Sequence, residues 1–200
     1  MFVQSAKFIQ AHSGSRGAIA VYGQEANADT WKMAKINMAI RGIDADFGAY
    51  QADTFTNDLH PTLKADFVLA NPPFNYHPWN QEKLTDDVRW KYGLPPAGNA
   101  NYAWILHILN KLDVNHGIAG FLLANGALDD SDTLEIRKRL IENDKIEAII
   151  ILPRNMFYST DISVTLWILN NNKKGGPWHG RQLRNRTGEI LFIDLRTWNS

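Results

Sequence analysis

Short apolar segments that alternate with helix-patterned ones constrain this chain more than any other feature. Residues 18–22, 66–70, 118–124, 146–152 and 164–169 read as strands, and the run 148–153 is apolar without interruption. Several of these segments are apolar on both faces. Such strands need cover on both sides, which a parallel sheet flanked by helices supplies. Helical patterns lie between them. Phe2, Ala6 and Ile9 form one stripe, and Trp31, Ala34 and Met38 another, with Asn27 as N-cap and Gly42 as the stop. Ile105, Ile108, Leu109 and Leu112 fall at i, i+3, i+4 and i+7, and a helix over 133–142 pairs Glu135 with Arg139. Residues 47–52 add a strand ending at Asp53, and 190–194 close the sheet after a loop over 170–188. The alternation predicts an α/β fold, a mostly parallel sheet with helices on each side.

Two hundred residues suit one domain with a full core. Twenty-one basic side chains balance 21 acidic ones. Bulk charge therefore does not steer the chain to nucleic acid or membrane, and an anionic partner must be met by a local patch. The absence of cysteine excludes a disulfide framework and thiolate metal sites. No clustered His, Asp and Glu spacing predicts a metal. No apolar run approaches the roughly 18–20 residues of a membrane span. The first five residues do not open a signal peptide.

In open α/β sheets, ligands bind beyond the carboxyl ends of the strands. Glu25, Asp53 and Asn71 each end a predicted strand, so the three are expected at one edge and in one site. Asn71 opens the sharpest signal in the chain, Asn71-Pro72-Pro73-Phe74. Two prolines after a strand remove two N–H donors and fix the backbone. The Pro72 carbonyl is then free to face a ligand, with the Asn71 amide oxygen beside it. Two adjacent acceptors suit an NH2 group that loses a proton as it is alkylated, and Phe74 offers a flat face for a base. Residues 74–104 also carry seven of the chain's 22 aromatics, about twice its average density, in a stretch rich in Pro, Gly and Asn. Two readings of that loop compete, a stacking surface and a loop folded on its own aromatic cluster.

The tetrapeptide resembles the catalytic motif of S-adenosylmethionine-dependent DNA adenine-N6 methyltransferases. More narrowly, the chain resembles the modification subunit of type I restriction–modification systems. The likeness includes Tyr22-Gly23-Gln24-Glu25, Trp79, the stretch from Asp87 through Arg89-Trp90-Lys91-Tyr92-Gly93-Leu94-Pro95-Pro96, Asn99-Ala100-Asn101-Tyr102-Ala103, Asn125-Gly126, Ile136-Arg137, and Leu152-Pro153 with Phe157. It implies a Rossmann-like class I methyltransferase sheet, mostly parallel with one antiparallel strand. It also implies that the target adenine is flipped out of duplex DNA. Asn71 and Pro72 would accept hydrogen bonds from its N6, Pro73 would hold the turn, and Phe74 would stack on the base. Glu25 would bind the ribose hydroxyls of S-adenosylmethionine, and Asp53 would lie beside the cofactor's adenine amino group. Implied partners are a specificity subunit, a second modification subunit and a restriction subunit, in the cytoplasm of a bacterium or archaeon.

The sequence departs from the family in one respect. No strand with a glycine-rich turn precedes residues 1–9, which match the helix after that turn. The expected domain is thus an incomplete catalytic domain over 1–170, with an aromatic-rich insert at 75–100, and a basic loop and final strand of the same domain over 171–200. Without the first strand its neighbours would stand about 9.6 Å apart, so the isolated chain is expected to bind the cofactor weakly or not at all. The basic loop holds Lys173, Lys174, Arg181, Arg184 and Arg186. Together with Trp79, these are candidate nucleic-acid contacts. Two rival functions stand beside methylation of DNA: a methyltransferase acting on RNA or protein glutamine, and a catalytically silent assembly or DNA-binding remnant.

Overall fold

The computed structural model describes residues 1–13, 19–155, 162–178 and 180–197. Ala18 and Phe157, both invoked from the sequence, lie outside the described residues. The chain forms two compact units, Met1–Thr62 and Leu63–Ser200.

The first unit opens with helix α1 (Phe2–Ser13), followed by β1 (Val21–Tyr22), α2 (Ala28–Ile40) and β2 (Ala45–Asp46). Strands β1 and β2 pair in parallel, Val21 opposite Ala45. Asn27 caps α2 as its sequence position predicts, its side chain accepting from the backbone N–H groups of Asp29 and Thr30 at 2.9 and 3.0 Å. The second strand is shorter and earlier than the expected 47–52. Gly48 adopts φ +73°, outside the extended range, and its N–H donates to the Asp46 carboxylate at 2.8 Å, so a turn ends the strand there. Phe47 is buried in the turn, edge-on to Phe2 with ring centroids 5.9 Å apart. A Cβ at Gly23 would stand 2.7 Å from the Phe47 ring, so only glycine fits immediately after β1.

The second unit carries β3 (Phe67–Ala70), α3 (Asn101–Lys111), β4 (Ile118–Ala124), α4 (Leu134–Glu142), β5 (Ile146–Ile151), β6 (Val164–Asn170), the hairpin β7 (Gly176–Trp178) with β8 (Arg181–Leu183), and β9 (Leu191–Asp194). Five of these strands form one sheet in the order β3-β4-β6-β5-β9. The β3–β4 and β5–β9 pairs are parallel, and β6 alone runs against both its neighbours. This is the expected mostly parallel sheet with one reversed strand. Its centre is dry. Ala119, Phe121 and Leu123 of β4 and Val164, Trp167 and Leu169 of β6 are at most 1% exposed. Helix α3 adds Tyr102, Ala103, Ile105 and Leu106 to the core. Each large apolar side chain buried this way contributes roughly 1.5–3 kcal/mol. Burial pushes the Tyr102 phenol up to about 12, and its hydroxyl donates to the Ala127 carbonyl at 2.8 Å. Among the described residues, β1 pairs only with β2 and β3 only with β4.

The 75–100 stretch folds on its own aromatic cluster. Trp79 is 1% exposed, stacks edge-on to buried Trp90 at 5.6 Å, and donates its indole N–H to the Pro96 carbonyl at 3.0 Å. Arg89, also buried, grips the Asp87 carboxylate through two hydrogen bonds of 2.8 and 2.6 Å. Burial alone would raise the Asp87 pKa, but the Arg89 hydrogen bonds and charge outweigh it and hold the carboxyl below its usual range. No helix among the described residues is long and apolar enough to cross a membrane.

Candidate active site

In the first unit the chain leaves β1 through Gly23 and Gln24 to Glu25. The Glu25 side chain is half-buried and makes no hydrogen bond among the described residues. Burial raises its pKa, because water that would solvate the charge is excluded and no donor replaces it. A carboxylate in that state is suited to ligand hydroxyls, which donate to an acceptor-only group.

Gln24 fixes what surrounds it. Its amide NH2 donates to the carbonyls of Ala52 and Asn57 at 3.0 and 2.9 Å, and its amide oxygen accepts from the Leu59 N–H at 2.9 Å. Ala52 in turn donates its N–H to the Glu25 carbonyl at 2.9 Å. One side chain thus ties the segment carrying Asp53 to the end of β1. Asp53 spends one carboxylate oxygen, Oδ1, on its own turn, accepting from the N–H groups of Phe55 and Thr56 and the Thr56 hydroxyl at 2.8–3.0 Å. Its other oxygen makes no hydrogen bond among the described residues.

In the second unit, residues 71–74 follow β3 directly. Asn71 and Pro73 are exposed, Pro72 is buried and Phe74 half-buried. The Asn71 amide and the Pro72 carbonyl have no hydrogen-bond partner among the described residues. Two acceptors therefore stand unused at the carboxyl end of a parallel strand. Glu25 and Asp53 belong to the first unit and the 71–74 turn to the second.

The basic loop is sorted differently from its sequence. Lys173 is 3% exposed, its ammonium donating to the Ile146 and Glu189 carbonyls at 2.8 and 2.6 Å and pairing with the Asp144 carboxylate at 2.6 Å. It is a core cation and is removed from the candidate surface contacts, because acidic and carbonyl oxygens distant in sequence converge on it. Trp79 is removed on the same ground of burial. Arg186 is held by Glu147 at 2.6 Å, and exposed Arg184 pairs with Glu189 at 2.7 Å. Lys174 and Arg181 are exposed and make no ion pair among the described residues.

The model of the family described as N-6 DNA Methylase matches residues 1–199. The chain belongs to that family. It is 48% identical over 197 residues to the type I restriction enzyme HindI methylase subunit of Haemophilus influenzae, a match covering 98% of this chain and 42% of that protein. Among solved structures it resembles a type I restriction–modification methyltransferase subunit from Streptococcus thermophilus, with TM-score 0.79 and 28% identity over 94% of this chain and 39% of that one. A class I S-adenosylmethionine-dependent methyltransferase of Listeria monocytogenes shares the fold, with TM-score 0.73 at 16% identity, over all of this chain and 56% of that one. The chain thus spans about two-fifths of the length of the HindI subunit it matches. Gln24, which shapes the Glu25 and Asp53 segments, and Asn101, which borders the 71–74 turn, had no assigned role in the sequence. An amide beside Glu25 and another at the start of α3 were the available signal.

Proposed function

We propose that the protein of which this chain is part transfers a methyl group from S-adenosylmethionine to the N6 amino group of adenine in DNA, within a type I restriction–modification complex. The pair of unused acceptors at the end of β3 carries the reading. As N6 attacks, a carbon–nitrogen bond would form while the sulfonium carbon–sulfur bond breaks, its electron pair staying on sulfur to give the thioether product, and the proton lost from the amine would pass to water. The Asn71 oxygen and Pro72 carbonyl hold the two amine hydrogens, which directs the nitrogen lone pair away from the ring and takes up developing positive charge. Pro73 keeps the turn rigid, and Phe74 supports the flipped base. Glu25 and the free oxygen of Asp53 hold the cofactor's ribose and adenine. The partners are duplex DNA, a specificity subunit that reads the sequence, a second modification subunit and a restriction subunit, all in the cytoplasm. The deciding experiment assembles the full-length subunit with its specificity subunit and measures N6-methyladenine by mass spectrometry. Absence of methylated adenine from a folded, DNA-binding complex overturns the proposal.

Two further expectations follow from the site. Because the folded protein holds a proton on Glu25 more tightly than the unfolded chain does, that proton stabilises below the ordinary glutamate range, and the benefit fades as pH rises through the raised value. At neutral pH the charge is a cost borne for ligand binding. Glu25→Gln should therefore raise the melting temperature of the cofactor-free subunit while weakening S-adenosylmethionine binding by about tenfold or more. In the parent protein, affinity should fall as pH is lowered into the region above the ordinary glutamate value. Melting curves and calorimetry with and without cofactor check both signs, and unchanged affinity removes Glu25 from the site. At the hairpin, Lys174→Glu with Arg181→Glu should weaken DNA binding and flatten its log–log salt dependence by about two units, roughly 0.9 for each phosphate no longer neutralised. An unchanged salt slope excludes this hairpin from the DNA interface.

A further inference from the structure

The 71–74 turn is flanked by two hydrogen-bonded points. Upstream, β3 is held by its ladder to β4, with Ala70 opposite Phe121. Downstream, the first anchored backbone group after Phe74 is the Asn75 N–H, which donates to the Asn101 side-chain oxygen at 3.0 Å. The Asn101 NH2 returns a hydrogen bond to the Asn75 side-chain oxygen at 2.8 Å. Next along, the Ala100 N–H donates to the Tyr76 carbonyl at 2.9 Å. Between the two anchors, Pro72 and Pro73 bring no N–H of their own.

Asn101 is well placed to act as the downstream anchor. It is the first residue of α3, is 3% exposed, and precedes the fully buried Tyr102 and Ala103. Its own N–H is taken by the Asn99 side-chain oxygen at 3.1 Å. Asn75 lies at φ +51°, a left-handed conformation that asparagine tolerates better than most residues. The pair of reciprocal amide bonds holds it there. A buried amide needs both a donor and an acceptor partner, and Asn75 supplies both.

We propose that Asn101 is a positioning residue for the 71–74 turn. By clamping Asn75 to the core helix, it sets where the Asn71 oxygen, the Pro72 carbonyl and the Phe74 ring stand. The catalytic part of this proposal rests on the adenine-methylating reading given above. The clamp itself is a property of the fold.

The test uses the full-length subunit, alone and assembled with its specificity subunit. Asn101→Ala should lower kcat about tenfold or more per folded complex, with KM values for DNA and cofactor within about twofold. Asn101→Asp keeps the acceptor for the Asn75 N–H and should regain part of the loss. Asn75→Gly removes the side-chain bond without touching the core, keeps the left-handed backbone, and should give a smaller loss that does not add to that of Asn101→Ala. This variant keeps the proposal testable should Asn101→Ala fail to fold. Independently of activity, amide exchange at Asn75 should quicken by about a hundredfold in Asn101→Ala while β4 amides keep their protection. Unchanged exchange at Asn75 overturns the clamp whatever the activity. Quickened exchange with parental kcat overturns the positioning role. If the parent complex itself transfers no methyl group, the functional reading falls, and exchange alone decides the clamp.

Discussion

Asn71→Ala in the full-length subunit, assembled with its specificity subunit, is expected to slow methyl transfer by a factor of about 10²–10³ with little change in DNA or cofactor affinity. That range is typical when one preorganised polar group is removed from a reacting centre. The argument is electrostatic. The adenine amine is a poor nucleophile because its lone pair is shared with the ring. Withdrawing that pair for attack leaves a nitrogen that gains positive charge, and an acceptor already in place stabilises that charge without reorganising. Asn71 is exposed and its amide is unspent in this structure, so no internal bond must break before it engages the amine. Pro72 contributes only through its backbone carbonyl, which a side-chain substitution does not delete, so some activity should survive. Asn71→Asp retains an acceptor at the same point and should fall between the parent and Asn71→Ala. Single-turnover rates at saturating cofactor separate this from a binding defect. A parental rate in Asn71→Ala would remove the 71–74 turn from the chemistry.

What the sequence disclosed, and what it hid, divides along physical lines. The strands 118–124, 146–151 and 164–170 were legible because one face is buried and the other only half-exposed, which leaves few polar residues to blur the pattern. Asn27 was legible as a cap because its role is local. The end of β3 before Asn71 could be read because two prolines cannot continue a ladder. Residues 47–52 misled, since their mixed apolar pattern resembles a strand while Gly48 turns the backbone out of the extended range. The aromatic insert could not be resolved from composition. Whether Trp79 faces outward or inward depends on Trp90 and the Pro96 carbonyl, which a pattern of spacings does not place. The side-chain amides of Gln24 and Asn101 were opaque for a related reason, as their partners lie 26–35 residues away.

Lys173 shows the same limit most sharply, and a second large effect is expected there. In the sequence it stands in a basic loop. In the fold, it enters the second unit with its ammonium satisfied by two carbonyls and one carboxylate. Burial pulls the Asp144 carboxyl upward, but hydrogen bonds from Lys173 and the Gly188 N–H, with the Lys173 charge, more than reverse this and hold its pKa below the ordinary value. The stabilisation from Asp144 is therefore present above the ordinary aspartate range and lost as pH falls through the depressed value. Lys173→Ala removes the cation from the Ile146 and Glu189 carbonyls and leaves the Asp144 carboxylate with the Gly188 N–H alone. Because the Asp144 side chain is 24% exposed, water takes over part of its solvation, and the loss is closer to the roughly 1–3 kcal/mol of buried acceptors left unsatisfied, a fall in melting temperature of roughly 5 °C for a chain of this size. Lys173→Met refills the apolar volume and should recover part of that loss, but not the part due to the uncompensated carboxylate. The same substitution should also flatten the acid limb of the stability profile, because Asp144 then has less to lose on protonation. DNA binding by the folded fraction should keep its salt slope, in contrast to the Lys174 and Arg181 variants. A Lys173→Ala subunit that melts like the parent yet binds DNA more weakly would reverse the assignment and return this lysine to the DNA-facing surface.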